Sequence, residues 1–379
     1  MRAHRYIPSG RHIAVFALLF AACIFPAAPS APAQTAAESP NVQNAKMQTR
    51  AVTGTLADTL RSIASQAGDP EWVGYSVAEI PGDRTVCCGN FYDGNSVCGT
   101  CRLEKENGMI STGSQQSSQA GTVHLEGSRQ LIVLLRFEGK EVVKIREASE
   151  DCTLDAGGLP FLWLTNVKPA ESVAFLSEFV HKGDLEAHGE HKVSQGALAA
   201  IALHADSSAD RAFESFVAPA QPEPLRKHAS FWLGSARGKF GEQLLQKMAK
   251  SDPSTEVRSQ VAFGLSVSHE PEALNEMIRM AKEDESSRVR GQALFWLAQK
   301  AGQKAMGAIT GAIDNDPDTE VKKKAVFALS QMPKDEGVPK LIEVAKNNRN
   351  PEVRKQAMFW LGQSNDPRAL AFFEQILSR

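Results

Sequence analysis

From about residue 190 onward the apolar positions keep a fixed register. With Val257 as zero, position +4 is Ala197, Ala229, Val261, Ala293, Ala325 and Ala357. Position +8 is Ile201, Leu233, Leu265, Leu297, Leu329 and Leu361. Residues spaced 0, 4 and 8 share one face of an α-helix, so each set predicts one buried stripe. A second helical register runs through Phe213, Leu245, Met277, Ile309, Leu341 and Phe373. Asp252-Pro253 and Asp316-Pro317 separate the two patterns. The proline stops one helix and the acid favours the start of the next. The motif Glu256-Val257-Arg258 returns as Arg288-Val289-Arg290, Glu320-Val321-Lys322 and Glu352-Val353-Arg354, each step 32 residues. Stepping back reaches Leu225 and Val193, which makes six units. One helical hairpin cannot bury its apolar face alone, so stacking into an array is predicted over 188–379.

The region 55–187 reads differently. Leu56, Leu60 and Ile63 predict a short helix over 55–66. Residues 72–77 alternate as a strand. Residues 130–137 and 141–145 form a predicted hairpin around Glu138-Gly139-Lys140. A further strand is expected over 158–164, and a helix over 169–179 leading into the array. The Ser-, Gln- and Gly-rich stretch 105–121 is expected to be a long loop. A cysteine-containing α+β domain followed by an all-α array is the fold class this implies.

The N-terminus reads as an address. Arg2, Arg5 and Arg11 precede an apolar run over 13–25 that is too short to span a bilayer comfortably. Ala31-Pro32-Ala33 supplies a small-x-small cleavage site. A secretory signal peptide over 1–33 is expected, followed by a flexible tether over 34–54, with a periplasmic or secreted location. Of 379 residues 42 are basic and 44 acidic. Removing three cations leaves about −5, and the segment 34–187 carries 13 bases against 20 acids. Nucleic acid is therefore not an expected partner, because counterion release needs a basic footprint. No span is expected after signal cleavage.

The Asp-Pro turn, the Val-Arg pair and the Ala and Leu four and eight residues on resemble HEAT repeats, specifically the short PBS-lyase-like variety. The resemblance covers about half the chain, over 188–379. It implies a right-handed HEAT-like solenoid of helical hairpins. It implies no activity by itself: most such arrays are binding scaffolds, a family of bilin lyases gives the repeat its name, and deoxyhypusine hydroxylase uses a related array. That hydroxylase binds two irons through several His-Glu pairs. This chain offers one, His269-Glu270, followed by Pro271, so the same chemistry is not expected.

Other candidate chemistry is thin. The basic residue at +1 (Arg226, Arg258, Arg290, Lys322, Arg354) recurs with an acid five residues before the register valine (Asp252, Asp284, Asp316). An arginine of one repeat reaching its neighbour's turn is expected, rather than an anion-binding ladder. Phe231-Trp232, Phe295-Trp296 and Phe359-Trp360 fall at +6 and +7, with Phe263-Gly264 and Phe327-Ala328 between them. An aromatic ligand stripe is the functional reading, but +7 falls within the buried stripe, so the tryptophans are read as core, alternating large and small along the stack. Asp314, Asp316, Asp318 and Glu320 alternate like a calcium loop, yet Thr319 and Ala325 stand where Gly and Glu are required. His181, His188, His191 and His204 have no zincin spacing, and no metal or other cofactor is expected. The cysteines after cleavage are Cys87, Cys88, Cys98, Cys101 and Cys152. Disulfides fit an exported chain best, with one thiol left over. A four-thiolate zinc site and a redox Cys98-Gly99-Thr100-Cys101 are the alternatives.

The function this supports is a non-catalytic scaffold that binds another protein through the concave face of the solenoid. The alternatives are an enzyme or a lyase-like or chaperone-like activity of the PBS-lyase class, hydroxylase-type oxidoreductase chemistry included, or a redox role for the CxxC. On the wheel, +2 and +9 point opposite the buried stripe. At +9 stand Gly234, Ser266, Ala298, Ser330 and Gly362, all small. At +2 stand Lys227, Lys323 and Lys355, with Ser259 and Gly291 between them. A small-residue floor flanked by lysines would accept an extended or helical acidic segment. Small residues that merely set the curvature of the stack are the other reading.

Overall fold

A computed structural model describes residues 39–66, 68–82, 84–88, 90–93, 98–105, 130–182, 185 and 193–378. The expected signal peptide and most of the loop over 105–121 lie outside these residues, as do His188 and His191.

The first part is built on a five-stranded sheet in the order β2 (Met47–Ala51), β10 (Phe161–Thr165), β3 (Glu71–Ala78), β7 (Gln130–Glu138) and β8 (Glu141–Ser149). β10 pairs parallel with both β2 and β3, and β3, β7 and β8 pair antiparallel. Alternation sorts the side chains. Val73, Tyr75, Val77, Val133, Leu135 and Leu164 enter one core, together with α1 (Leu56–Gln66), α2 (Pro169–Lys182) and α3 (Val193–Leu203). Trp72, Ile132, Leu134, Phe161 and Trp163 enter a second core that also holds all five cysteines. That second face is covered by a small parallel sheet of β1 (Val42–Gln43), β9 (Thr153–Asp155) and β6 (Thr100–Arg102). A hairpin of β4 (Arg84–Cys87) and β5 (Asn90–Asp93) precedes β6 in the chain.

Two expectations need correction here. The tether over 34–54 is not a tether throughout: residues 42–43 and 47–51 are strands, and β2 forms an edge of the main sheet. A polar, proline-containing stretch gives no alternation to read. Its backbone hydrogen bonds to β10 carry the structure instead, since β2 is exposed along its length. The sheet region and the array also do not divide at 187/188. The core on the helix-covered face of the sheet is continuous with that of the array, and α3 packs on β8. A Cβ at Gly196 of α3 would stand 2.5 Å from the Ile145 carbonyl oxygen, so only glycine lets the helix lie that close to the strand.

The rest is helical: α4 (Ser207–Phe216), α5 (Glu223–Ala236), α6 (Gly238–Ser251), α7 (Thr255–Val267), α8 (Glu272–Glu283), α9 (Ser287–Ala301), α10 (Met306–Asn315), α11 (Thr319–Ser330), α12 (Lys334–Asn347), α13 (Pro351–Gln363) and α14 (Pro367–Leu377). The expected second helices are α3, α5, α7, α9, α11 and α13. Their +4 and +8 residues are all buried. Ser254, Asp318 and Asn350 cap α7, α11 and α13 by accepting backbone N–H bonds. Consecutive second helices pack directly on one another from α5 to α13, while the first helices touch more sparsely. The second helices therefore line the tighter side of the stack. None of the described helices is long and apolar enough to cross a membrane.

Candidate functional site

The +1 arginines are bolts between hairpins. Arg226, Arg258 and Arg290 donate through Nε to Asp252, Asp284 and Asp316 at 2.8, 2.9 and 2.7 Å, and through a second nitrogen at 3.1, 3.2 and 3.0 Å. The third nitrogen of Arg258 and of Arg290 reaches a turn carbonyl, Asp252 O and Asp284 O, both at 2.9 Å. Each aspartate also accepts the N–H two residues on, fixing the turn. These hydrogen bonds to Asp284 and Asp316 hold Arg258 and Arg290 above the usual guanidinium range. With every guanidinium nitrogen bonded and both partners buried, the ladder serves packing between hairpins. The ladder ends where Lys322 and Asn348 replace the pair, and Lys322 donates to Asp314 O at 2.8 Å.

The histidine expected near the start of the array is likewise structural. His204 is fully buried. One ring nitrogen lies 2.7 Å from Ala200 O and the other 2.9 Å from Ser172 Oγ, which is itself 2.8 Å from the Tyr75 hydroxyl. Ala200 O can only accept, so Nδ1 carries the proton and Nε2 accepts from Ser172. Burial lowers His204 to about 4. Glu147 on β8 is also buried, and burial raises it to about 8 against the opposing pull of Arg146.

A cavity of about 590 Å³ lies where the sheet region meets α5, lined by Arg84, Asp210, Arg237, His269 and Glu270 among others. Its arginines are bonded to carbonyl oxygens and to Asp210, but Nη1 of Arg84 is buried without a hydrogen-bond partner among the described residues. Arg84 donates to Ser235 O at 3.0 Å. Arg237 donates to Asp210 and to Ala202 O and His204 O. That arrangement fastens α5 to the end of α3 and leaves no nucleophile–base pair there among the described residues.

The second-helix face carries the expected partner residues unevenly. Gly234 and Ala298 are buried. A Cβ on Gly234 would run into the Gly264 carbonyl, so its smallness serves close helix packing and it cannot form an open floor. Ser266 and Ser330 are half-buried, each giving its hydroxyl to a carbonyl of its own helix, Phe263 O and Phe327 O, both at 2.7 Å. Gly362 and Lys355 are exposed, Lys227 and Lys323 half-buried, and Lys323 pairs with Glu320 at 3.0 Å.

The aromatic ligand stripe set aside in the sequence reading in favour of core is partly present, carried by the phenylalanines. Phe231, Phe263, Phe295 and Phe327 are half-buried, and Phe359 is 54% exposed. The tryptophans beside them, Trp232, Trp296 and Trp360, are half-buried and pack against the core. The phenylalanines stack on one another and on the tryptophan edges instead. Ring centroids are 5.7 Å apart for Phe231–Phe263, 4.6 Å for Phe263–Trp296, 5.9 Å for Phe295–Phe327 and 4.9 Å for Phe327–Trp360. At about 100° per residue, +6 lies only about 40° from +2, so the aromatic stripe runs beside the lysines. The signal was present in the sequence, since phenylalanine occupies +6 in all five units from 231 to 359.

The five cysteines converge in the second core, all buried. Cys88 is joined to Cys101, with Cα atoms 5.4 Å apart. Cys98 lies within bonding reach of both Cys87 and Cys152, at Cα separations of 5.5 and 5.1 Å.

Stacked helical hairpins with direct second-helix contacts define a solenoid of the helical-repeat class. Residues 307–379 match the family described as HEAT repeats, and the hairpins before them continue the same 32-residue register. The solved structures similar to this chain include the following three. The Escherichia coli protein YibA is 20% identical, with 54% of this chain and 80% of that one covered and a TM-score of 0.34. Human deoxyhypusine hydroxylase in complex with glycerol is 14% identical, with 55% and 90% covered and a TM-score of 0.29. The complex of CpcE and CpcF of phycocyanin lyase from a Nostoc species is 17% identical, with 55% and 80% covered and a TM-score of 0.28. No curated protein matches the chain in sequence.

Proposed function

We propose that the chain is an exported, non-catalytic scaffold that holds another protein against the second helices of its HEAT array. The observation that carries this reading is the aromatic stripe. Phe231, Phe263, Phe295, Phe327 and Phe359 form a row of half-exposed rings that the core does not consume. Aromatic residues with a small side-chain entropy cost are favoured anchors at protein interfaces. Lys227, Lys323 and Lys355 run alongside, which favours an acidic segment in the partner. The buried ion pairs and the buried histidine are accounted for by packing, and this face carries the row of rings that the core does not use. Export rests on the N-terminal sequence alone.

The test compares capture from an envelope fraction by the wild-type chain and two variants. One carries Phe263→Ala with Phe327→Ala, and the other Lys323→Glu with Lys355→Glu. The stripe pair is expected to lose the partner, and the lysine pair to bind it more weakly and with less salt dependence. If both variants keep their helical content and thermal midpoint yet capture the same partner unchanged, the face is not the binding site.

A further inference from the structure

The cysteine cluster holds an odd number of sulfurs, one more than disulfides can pair. Once Cys88 and Cys101 are bridged, Cys87, Cys98 and Cys152 remain, and one sulfur can hold only one disulfide bond. Their Sγ atoms all lie within 4.8 Å of one another. Cys98 is the middle member. Both of its Cα separations, 5.5 Å to Cys87 and 5.1 Å to Cys152, fall in the range a disulfide spans without moving the backbone. Cys87 and Cys152 Sγ are 3.9 Å apart, in contact. The Cys152 thiol donates to Val86 O at 3.2 Å, which suits it to remaining a thiol beside a Cys87–Cys98 bridge.

We propose that Cys87, Cys98 and Cys152 form a thiol–disulfide exchange centre in which Cys98 is bridged to either neighbour and the third sulfur is a resident thiol. The first bridge forms when a thiol pair gives two electrons and two protons to an external disulfide. The exchange that follows needs no oxidant. The sulfur of Cys152 bonds to Cys98, the Cys87–Cys98 bond breaks, and the proton lost by Cys152 ends on Cys87. Cys98 and Cys152 are 5% and 0% exposed, so outside thiols and disulfides react with the centre slowly and exchange within it is the faster step. Its two states tie different elements to the segment 98–102: β4 in one, the start of β9 in the other. β4 also carries Arg84, which holds Ser235 O at the end of α5, so the switch borders the contact between sheet and array.

The experiment uses the full mature chain, equilibrated with glutathione and glutathione disulfide. It is quenched in acid, denatured and labelled with a maleimide, and the label is located by fragmentation between residues 87 and 88. One label per chain is expected, divided between Cys87 and Cys152, with none on Cys88, Cys98 or Cys101. Cys87→Ser and Cys152→Ser should each drop the count from one to zero, because Cys98 then has a single partner. A label confined to one cysteine would mean a fixed bridge and overturn the proposal. So would a label on Cys98, which would mean a Cys87–Cys152 bridge, or bound zinc with all three sulfurs labelled. The wild-type labelling pattern decides the matter even if a serine variant fails to fold.

Discussion

At the residue scale, two buried titratable groups bracket the pH range of the fold. His204 has its pKa lowered from 6.5 to about 4 by burial. The unfolded chain then binds the extra proton first, so stability falls as pH drops from about 6.5 to about 4 and changes no further below that. The full effect is about 3 kcal/mol, at roughly 1.4 kcal/mol per unit. Chemical denaturation of the wild type and His204→Gln at pH 7 and pH 4.5 should show the wild type losing stability and the variant losing much less. Glu147 works in the other direction. Its pKa is raised from 4.5 to about 8, so the folded chain keeps a proton that the unfolded chain has released, and stability falls as pH rises across that window. Glu147→Gln should therefore raise the thermal midpoint at pH 8 and change it little at pH 4. An unchanged difference between the two pH values would show that the carboxyl is not held neutral. Neither burial was legible beforehand. The sequence groups His204 with the histidines at the start of the array, because a lone polar residue just past an apolar helix has no sequence mark for what it faces.

At the scale of elements, the hairpin stack was legible because the same physical demand recurs every 32 residues. Leu297 at +8 is fully buried, and Leu297→Ala should cost about 2–5 kcal/mol in urea unfolding. The Arg–Asp bolts add a sharper expectation. Asp284→Ala leaves the Arg258 guanidinium buried without its charge partner, at a cost of about 3–5 kcal/mol. Replacing Arg258 and Asp284 together by Met and Leu should cost clearly less, because the unpaired charge is then gone. A double variant as unstable as Asp284→Ala would mean that the turn hydrogen bonds, and not the ion pair, carry the effect. The +9 residues show the limit of wheel arithmetic. It places Gly234 opposite the core stripe correctly, but a neighbouring helix covers that side too, because α5 and α7 approach backbone to backbone at Gly234 and Gly264. Gly234→Ala should then destabilise by about 1–3 kcal/mol, as overpacking does.

At the scale of the molecule, the sheet and the array share a continuous core. A chain beginning at Gly54 would lose β1 and β2, leaving β10 as an open edge over a buried core. It should melt earlier than the chain from Gln34, and the array should lose midpoint with the sheet because they are joined through α2 and α3. Equal midpoints would restore the tether reading. Export makes its own prediction: mass spectrometry of the mature protein should find an N-terminus near Gln34, and an intact Met1 would remove the periplasmic or secreted assignment.

The sequence by itself determined the repeat period, the buried stripes and the order of sheet region before array, because each depends on contacts between residues close in the chain or on one demand repeated at fixed spacing. Tertiary structure alone decided the rest. β2 pairs with a strand more than a hundred residues away through backbone groups that have no residue-type signature. The five cysteines meet because three separate segments cover one face of a sheet. The phenylalanines at +6 are visible as letters, but whether they are core or surface depends on how close the next helix comes, and that distance is set by glycines and buried ion pairs in the hairpins on either side.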